Sequence, residues 1–265
     1  MSERAKGLKE RAEYSEILKK TLHLKGSPVA MAILRQVPKG MKRWRGEHTG
    51  ICNMIEHARR GEAFYIVGED CYCAGSFFIG IANPPGEVYE GENYLSAAKH
   101  LFCSRQATAV HMKLVAERIP LRMGKYAAFA PLEKATFEPD VVAFIVVPLQ
   151  AERLVILEAF DTGIFNTSHM DPMCCGVIAT PHSTGKVGLS LLCPGSRQTS
   201  GYSPAVMGVG VPYATLHRIV GAIPHAHMGT ASPDNDLLPI IPGREEVLRR
   251  FKDLDKNLDK YFEGV

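Results

Sequence analysis

The sequence predicts an α/β or α+β fold, with a mixed sheet and flanking helices. Three observations favour this class. Short apolar runs of strand length alternate along the chain with segments whose apolar residues recur at helical spacing. Some runs are apolar at every position, as from Val141 to Val147, which is typical of a central strand covered on both faces. With 265 residues, the chain can bury a substantial core, so we predict one compact domain over residues 1–265.

The chain up to Cys73 is predicted to alternate helix and strand. Leu8, Ala12, Ser15, Leu18 and Leu22 recur at helical spacing, and Gly26-Ser27-Pro28 stops that helix. In chain order we predict a helix that ends near Leu24, a buried strand from Pro28 to Leu34, a helix from Asn53 to Arg60, and a strand from Ala63 to Val67. The second strand leads directly to Cys71 and Cys73.

The remainder of the chain continues the alternation, although its strand order cannot be derived from the sequence. We predict helices from Tyr94 to Leu101, Ser104 to Arg118, Ala151 to Phe160 and Tyr213 to Ile223, with strands from Lys125 to Pro131, Val141 to Val147, Val187 to Leu192 and Val206 to Val211. A C-terminal helix over residues 243–262 would carry Leu248, Phe251, Leu254, Leu258 and Phe262 on one face. The glycines of Met207-Gly208-Val209-Gly210 indicate close approach of another backbone.

Charge and hydropathy exclude several classes of partner. The chain has 31 basic and 28 acidic residues, for a net charge of +3, and the basic run from Lys39 to Arg45 is typical of a solvated loop rather than a nucleic-acid site. No uninterrupted apolar stretch reaches the roughly 18 residues of a membrane span. The charged, amphipathic N-terminus is unlike a secretory signal. We therefore expect a cytoplasmic protein with no nucleic-acid or membrane partner.

The tetrapeptide Cys-x-Gly-Ser occurs twice and ends two longer stretches that also look alike. Cys73-Ala74-Gly75-Ser76 follows Cys52 and an isoleucine three positions after it. Cys193-Pro194-Gly195-Ser196 follows Cys175 and an isoleucine at the same offset. We therefore predict two pseudo-symmetric half-repeats, at approximately residues 27–86 and 139–201. The alternative is coincidence, because glycine and serine are common in loops.

Seven cysteines in such a chain favour metal binding or thiol chemistry over disulfides. The number is odd, and no Cys-x-x-Cys pair occurs. Helix N-termini and the glycines after Cys73 and Cys193 are settings that stabilise a thiolate. If the halves are duplicated, two cysteines from each can meet across the axis. The predicted metal ligands are Cys52, Cys73, Cys175 and Cys193, with Cys71 and Cys174 as alternates; Cys103 is predicted to lie in the core.

Four cysteines without a recurring histidine indicate an iron–sulfur cluster or an all-cysteine zinc site. We predict one [4Fe–4S] cluster between the half-repeats, for electron transfer or redox-assisted chemistry on a small molecule. The partners would be a redox protein or that substrate, and a homo-oligomer is possible. Arg197 is the candidate to neutralise the cluster or bind an anionic substrate, and a surface salt bridge is its alternative role. The other hypotheses are a zinc-stapled scaffold and a metal-free thiol enzyme with His57 or His182 as base.

Several segments together resemble the family called domain of unknown function 169, from archaea and anaerobic bacteria. They are spread over about residues 15–225. The matching segments are Cys73-Ala74-Gly75-Ser76, Ala130-Pro131-Leu132, Glu138-Pro139-Asp140-Val141-Val142, Pro148-Leu149-Gln150, Cys193-Pro194-Gly195-Ser196-Arg197 and Gly210-Val211-Pro212. The family has no established reaction, so the resemblance implies a shared fold rather than a substrate. Its setting among anaerobes fits an oxygen-sensitive cluster.

Overall fold

A computed structural model describes residues 3–73, 75–82, 102–118, 124–171 and 173–226. This part contains eight helices and one seven-stranded mixed sheet, which confirms the predicted α/β class. The helices are α1 (Glu3–Thr21), α2 (Ile51–Arg59), α3 (Gly75–Phe78), α4 (Arg105–Arg118), α5 (Pro148–Ala159), α6 (Gly176–Thr184), α7 (Pro194–Ser200) and α8 (Leu216–Ala222). The strands are β1 (Val29–Leu34), β2 (Phe64–Ile66), β3 (Tyr126–Pro131), β4 (Val141–Val146), β5 (Thr167–Asp171), β6 (Val187–Ser190) and β7 (Met207–Pro212).

Most predicted elements are present within a few residues of their predicted ends. Three elements were not predicted: the short helices α3 and α7, and strand β5, whose sequence Thr-Ser-His-Met-Asp is largely polar. The segment predicted as a helix from Tyr213 begins as a 3-10 turn, Tyr213–Thr215, before α8. The predicted helices from Tyr94 to Leu101 and over residues 243–262 lie outside the described residues.

The sheet has the order β2-β3-β1-β4-β7-β6-β5. All neighbouring strands are antiparallel except β5 and β6, which are parallel. The apolar strands β1 and β4 are adjacent in the middle, as expected for strands covered on both faces.

The strand registers on the two sides of this central pair are equivalent. Ala30 of β1 pairs with Val142 of β4. One residue before Ala30, Val29 lies opposite Pro131 at the end of β3. One residue before Val142, Val141 lies opposite Pro212 at the end of β7. A 3-10 turn follows each of these prolines, Leu132–Lys134 and Tyr213–Thr215. The outer strands β2 and β6 then pair with β3 and β7 in matching positions, as Phe64 with Phe129 and Gly188 with Gly210.

Two apolar cores cover the two faces of the sheet, because successive strand residues point to opposite sides. In β1, Val29 and Met31 belong to the core beneath α2, α3 and α6. Ala30 and Ala32 belong to the core beneath α1, α5 and α8. No helix in the described residues is long and apolar enough to cross a membrane.

Helix α6 lies directly on β7, as the glycines of that strand predicted. A Cβ atom on Gly210 would overlap the main-chain carbonyl oxygen of Val177, and a Cβ on Gly208 would overlap the Val177 side chain. A Cβ on Gly188 of the neighbouring strand would lie 2.7 Å from the Gly176 carbonyl oxygen. The absence of side chains at these positions therefore fixes the height of α6 above the sheet, and with it the position of Cys175 at its N-terminus.

Candidate functional site

The first-half loops bring Cys52 next to Cys71 and Cys73. The segment before α2 runs beside the segment after β2: Thr49 N–H donates to the Asp70 carbonyl at 3.3 Å, and Tyr72 N–H donates to the Thr49 carbonyl at 3.2 Å. Cys52 is the second residue of α2. A Cβ atom on Gly50 would lie 3.2 Å from the Cys52 sulfur and 3.7 Å from the Cys73 sulfur. The glycine therefore leaves room between these two sulfurs.

Cys73, a predicted ligand, and its alternate Cys71 are both part of this group. Their sulfur atoms are 3.5 Å apart, which is a hydrogen-bonded thiol contact rather than a disulfide. Cys71 is buried and Cys73 is partly exposed.

The second-half cysteines lie at the starts of two helices. Cys175 is the N-cap residue of α6, with Cys174 immediately before it, and both are buried. Cys193 is the N-cap residue of α7. Ser190 Oγ at the end of β6 donates to the Met173 carbonyl at 2.8 Å. The turn that carries Cys174 and Cys175 is thereby fixed against the strand that leads to Cys193.

The two Cys-x-Gly-Ser motifs share a hydrogen bond from the serine to the cysteine carbonyl. Ser76 Oγ donates to the Cys73 carbonyl at 3.2 Å, and Ser196 Oγ donates to the Cys193 carbonyl at 2.7 Å. Each motif leads into a short helix, α3 or α7. In both copies the serine hydroxyl therefore holds the cysteine carbonyl beside the start of a short helix.

Contacts between α2 and α7 join the two halves at Cys52. The Cys52 sulfur is 3.7 Å from Thr199 Oγ1, and Tyr202 Oη donates to the Cys52 carbonyl at 2.8 Å. The Cys52 sulfur also shares a hydrogen bond with Cys174. Cys175 interacts electrostatically with Cys73, Cys193 and Cys52. The structure thus brings all four predicted ligands and both alternates into one region, where α2 packs against α7.

The pKa of the Cys52 thiol is lowered from its ordinary value of 9.0 to about 6. The largest cause is the hydrogen bond from the Cys174 thiol, which stabilises the Cys52 thiolate and outweighs burial. Ser200, Thr199 and the Asn53 N–H at the start of α2 act in the same direction. Ser200 Oγ is buried and has no hydrogen-bond partner of ordinary geometry. The hydroxyl proton of Ser200 is therefore available to the Cys52 sulfur.

In each hydrogen-bonded pair of thiols, the two pKa values are shifted in opposite directions. The hydrogen bond between Cys71 and Cys73 lowers the pKa of Cys71 and raises that of Cys73 well above its ordinary value, and burial of Cys73 adds to its increase. The pKa of Cys174 is raised by its hydrogen bond to Cys52 and by burial. Burial raises the pKa of Cys175, and the nearby Cys73 and Asp171 add to the effect. Two thiols with lowered pKa values, Cys52 and Cys71, therefore lie near three whose pKa values are raised, Cys73, Cys174 and Cys175.

The donor set suits a soft metal, but the side chains do not converge on a single ion. In the described part of the chain, no group of three or more His, Cys, Asp or Glu side chains is arranged to hold a metal ion. Sulfur is the preferred donor for iron–sulfur clusters and for zinc. The residues present thus fit either group chemically, and side-chain rotation would be needed to ligate it.

The Arg197 side chain is hydrogen-bonded to the backbone. Its guanidinium donates to the carbonyls of Ser203 at 2.5 Å, Leu191 at 2.6 Å and Val206 at 3.2 Å. It makes no ion pair within the described residues. These bonds fix the segments on either side of α7, so Arg197 holds the Cys193 loop in shape. A role in neutralising a cluster or binding an anionic substrate stays a prediction.

His57 and His182 are engaged elsewhere. His57 Nδ1 is 2.6 Å from Glu62 Oε1, and its ring packs edge-on against Trp44. His182 Nδ1 is 3.4 Å from Asp140 Oδ2. Within the described residues, neither ring is hydrogen-bonded to a cysteine. Their assignment as the base of a thiol enzyme stays a prediction.

One prediction about the cysteines is wrong, and several residues of the site were not predicted. Cys103 is exposed just before α4, not in the core. The prediction assigned Cys103 to a helical region without a matching partner, but the helix begins only at Arg105. Thr199, Ser200 and Tyr202 follow the second Cys-x-Gly-Ser motif closely in the sequence, so proximity to Cys193 was the available signal for them.

The family comparison agrees with the sequence motifs. The model of domain of unknown function 169, described as "Uncharacterised ArCR", matches residues 17–222. The chain belongs to this family. It is also 29% identical over 198 residues to a protein of Methanocaldococcus jannaschii with the name "Uncharacterized protein MJ0308", and the match covers 72% of this chain and 82% of that protein. No solved structure matches. The family match spans all six clustered cysteines but leaves the first 16 and last 43 residues of the chain outside it.

Proposed function

We propose that the protein is an iron–sulfur protein that holds one [4Fe–4S] cluster between its two halves. The ligands would be Cys52, Cys73 and Cys193, with Cys175 or Cys174 as the fourth. The activity would be electron transfer, or redox-assisted chemistry on a small molecule. The observation that carries this proposal is that six thiols from both halves meet in one region where α2 packs against α7.

The spacing of the thiols favours a group larger than one ion. A zinc ion binds each sulfur at about 2.3 Å, so four ligand sulfurs must come within about 4 Å of one another. Here the close contacts are pairwise, Cys71 with Cys73 and Cys52 with Cys174. A polynuclear cluster takes its ligands at separate corners, which suits thiols contributed by separate segments.

The surrounding residues would stabilise negative charge at Cys52 and hold its loop. A bound cluster would supply a one-electron redox centre. The Asn53 N–H and the hydroxyls of Ser200 and Thr199 lie beside the Cys52 sulfur. Tyr202 Oη donates to the Cys52 carbonyl and so anchors the first turn of α2. Cys73 and Cys175, whose pKa values are raised, would release protons when they become ligands.

Anaerobic purification with iron and acid-labile sulfide analysis tests this proposal directly. We expect about four irons and four sulfides per chain, with broad visible absorption that bleaches on reduction. Stoichiometric zinc without colour would instead indicate the zinc-stapled scaffold. A colourless protein free of iron would contradict the cluster. Cys103→Ser is the matched control, because Cys103 is an exposed thiol and its loss should leave the metal content unchanged.

We propose the cytoplasm as the location of this protein, with a redox protein as its electron-transfer partner. All seven cysteines are unpaired in the structure, and reducing compartments keep thiols in this state. Fractionation of native cells, followed by immunodetection, tests the location.

A further inference from the structure

A cleft of about 710 Å³ opens beside the cysteine site on the first-half side. Cys71 and Cys73 form part of its wall. Among the described residues, no cysteine of the second half lines this cleft. A small molecule in this cleft would therefore approach the site from the side of Cys71 and Cys73.

The cleft combines an apolar wall with two opposite charges. Val67, Ile81 and the ring of Tyr126 supply apolar surface, and Lys125 and Glu69 lie exposed at its edge. Neither charged side chain makes an ion pair within the described part of the chain. Arg43, the cation near Glu69, is paired with Asp70 at 3.0 Å. One ammonium and one carboxylate are thus left to meet a ligand.

We propose that this cleft binds a small zwitterion, an amino acid with an apolar side chain, beside Cys71 and Cys73. Lys125 would pair with the ligand carboxylate and Glu69 with its ammonium group, while the side chain packs on Val67 and Ile81. A net anion or a net cation would satisfy only one of the two protein charges and would leave the other facing a like charge. A role of this cleft as a substrate site rests on the proposed function, whereas its capacity to bind an amino acid does not.

Calorimetric titration of the anaerobically purified protein with three probes tests the proposal. L-Phenylalanine carries both charges, hydrocinnamate lacks the ammonium group, and phenethylamine lacks the carboxylate. We expect phenylalanine to bind, and each analogue to bind about 5-fold more weakly, as the loss of one edge ion pair predicts. Equal binding of the three probes, or no binding of phenylalanine, would overturn the proposal.

Two variants assign each charge. Lys125→Met should weaken the binding of phenylalanine and hydrocinnamate about 5-fold and leave the binding of phenethylamine no weaker. Glu69→Gln should weaken phenylalanine and phenethylamine and leave hydrocinnamate no weaker. Lys186→Met, in the exposed turn between α6 and β6, is the control and should change none of them. Equal effects of Lys125→Met on all three probes would show a structural effect and overturn the assignment.

Iron and sulfide analysis of the same samples separates the two proposals. Phenylalanine binding in an iron-free protein would support the cleft and contradict the cluster. Iron and sulfide without phenylalanine binding would support the cluster and overturn the cleft. If both are present, a change in the visible spectrum on phenylalanine addition would place the ligand beside the cluster.

Discussion

At the scale of a residue, the groups around the Cys52 sulfur set the pKa of its thiol. Buried thiols ordinarily stay protonated, because burial disfavours the thiolate. Cys52 departs from this rule because Cys174, Ser200, Thr199 and the N–H of Asn53, which surround its sulfur, all favour its charged form. Cys175, buried beside other sulfurs and Asp171, follows the rule. The difference between the two arises from the donors that surround each sulfur.

Replacing Ser200 by Ala should raise the pKa of Cys52 in the metal-free protein. The substitution removes a buried hydroxyl that stabilises the thiolate, so alkylation of Cys52 should slow near neutral pH. Mass spectrometry after timed iodoacetamide treatment across a pH series measures the shift. Ser183→Ala, another buried serine but on α6, should leave the profile unchanged. An unchanged pH profile of alkylation in Ser200→Ala would mean that Ser200 does not stabilise the Cys52 thiolate.

The glycines of the two Cys-x-Gly-Ser motifs should differ in their tolerance of alanine. A Cβ atom on Gly75 would lie 2.7 Å from Ile51 Cγ1 and 2.9 Å from the Cys73 sulfur, whereas a Cβ on Gly195 would lie 3.8 Å from the Cys193 sulfur. Gly75→Ala should therefore lower the free energy of unfolding by about 1 to 3 kcal/mol through overpacking. Gly195→Ala should change it by less than about 0.5 kcal/mol. Urea denaturation measures both, and equal effects would contradict the crowding at Gly75.

At the scale of elements, one acidic side chain ties α1 to the end of β3. Glu133, in the 3-10 turn after β3, accepts hydrogen bonds from Ser15 Oγ at 2.7 Å, Lys19 Nζ at 3.0 Å and Ser27 Oγ at 2.6 Å. Burial raises the pKa of Glu133, but the bonds from Ser27, its own backbone, Ser15 and Lys19 outweigh burial and lower it below 4.5. The charged carboxylate is thus the form that holds α1 on the sheet.

The Glu133 contacts should make stability depend on pH in the acid range. Because the folded-state pKa is depressed, this contribution is complete above the ordinary value of 4.5 and is lost as the pH falls through the folded-state value. Glu133→Gln should cost about 1 to 3 kcal/mol at pH 7 and much less at pH 3. Urea denaturation at the two pH values measures the difference. A cost that does not depend on pH would mean that the carboxylate charge is not what these donors recognise.

At the scale of the whole molecule, the equivalent registers about β1 and β4 support our inference that the chain contains two related halves. The pairs Val29–Pro131 and Val141–Pro212 occupy corresponding places, and a 3-10 turn follows each proline. A cofactor held between such halves would link them, because it would bind only when both are folded and docked.

Cysteine replacements should therefore remove metal from either half. Cys52→Ser, Cys73→Ser and Cys193→Ser should each abolish most bound iron, because a hydroxyl is a poor substitute for a thiolate. Cys71→Ser should be milder than Cys73→Ser, and Cys174→Ser milder than Cys175→Ser. Metal analysis and thermal melts measure the loss, and the deficient variants should melt at lower temperature. Full metal in Cys52→Ser and Cys73→Ser, with loss in the second-half variants, would refute a site between the halves.

The sequence by itself determined the α/β class and the positions of most helices and strands, and it named four cysteines whose role as metal ligands stays a prediction. These features follow from local periodicity, from glycines and prolines that end the elements, and from a repeated motif whose serine bonds the cysteine carbonyl in both copies. Only the tertiary structure decided the strand order, the polar edge strand β5, the exposure of Cys103 and the contacts of Thr199, Ser200 and Tyr202 with Cys52. These depend on which distant segments meet. Side-chain periodicity records the burial of a residue but not the identity of its partner across the sheet or across the two halves.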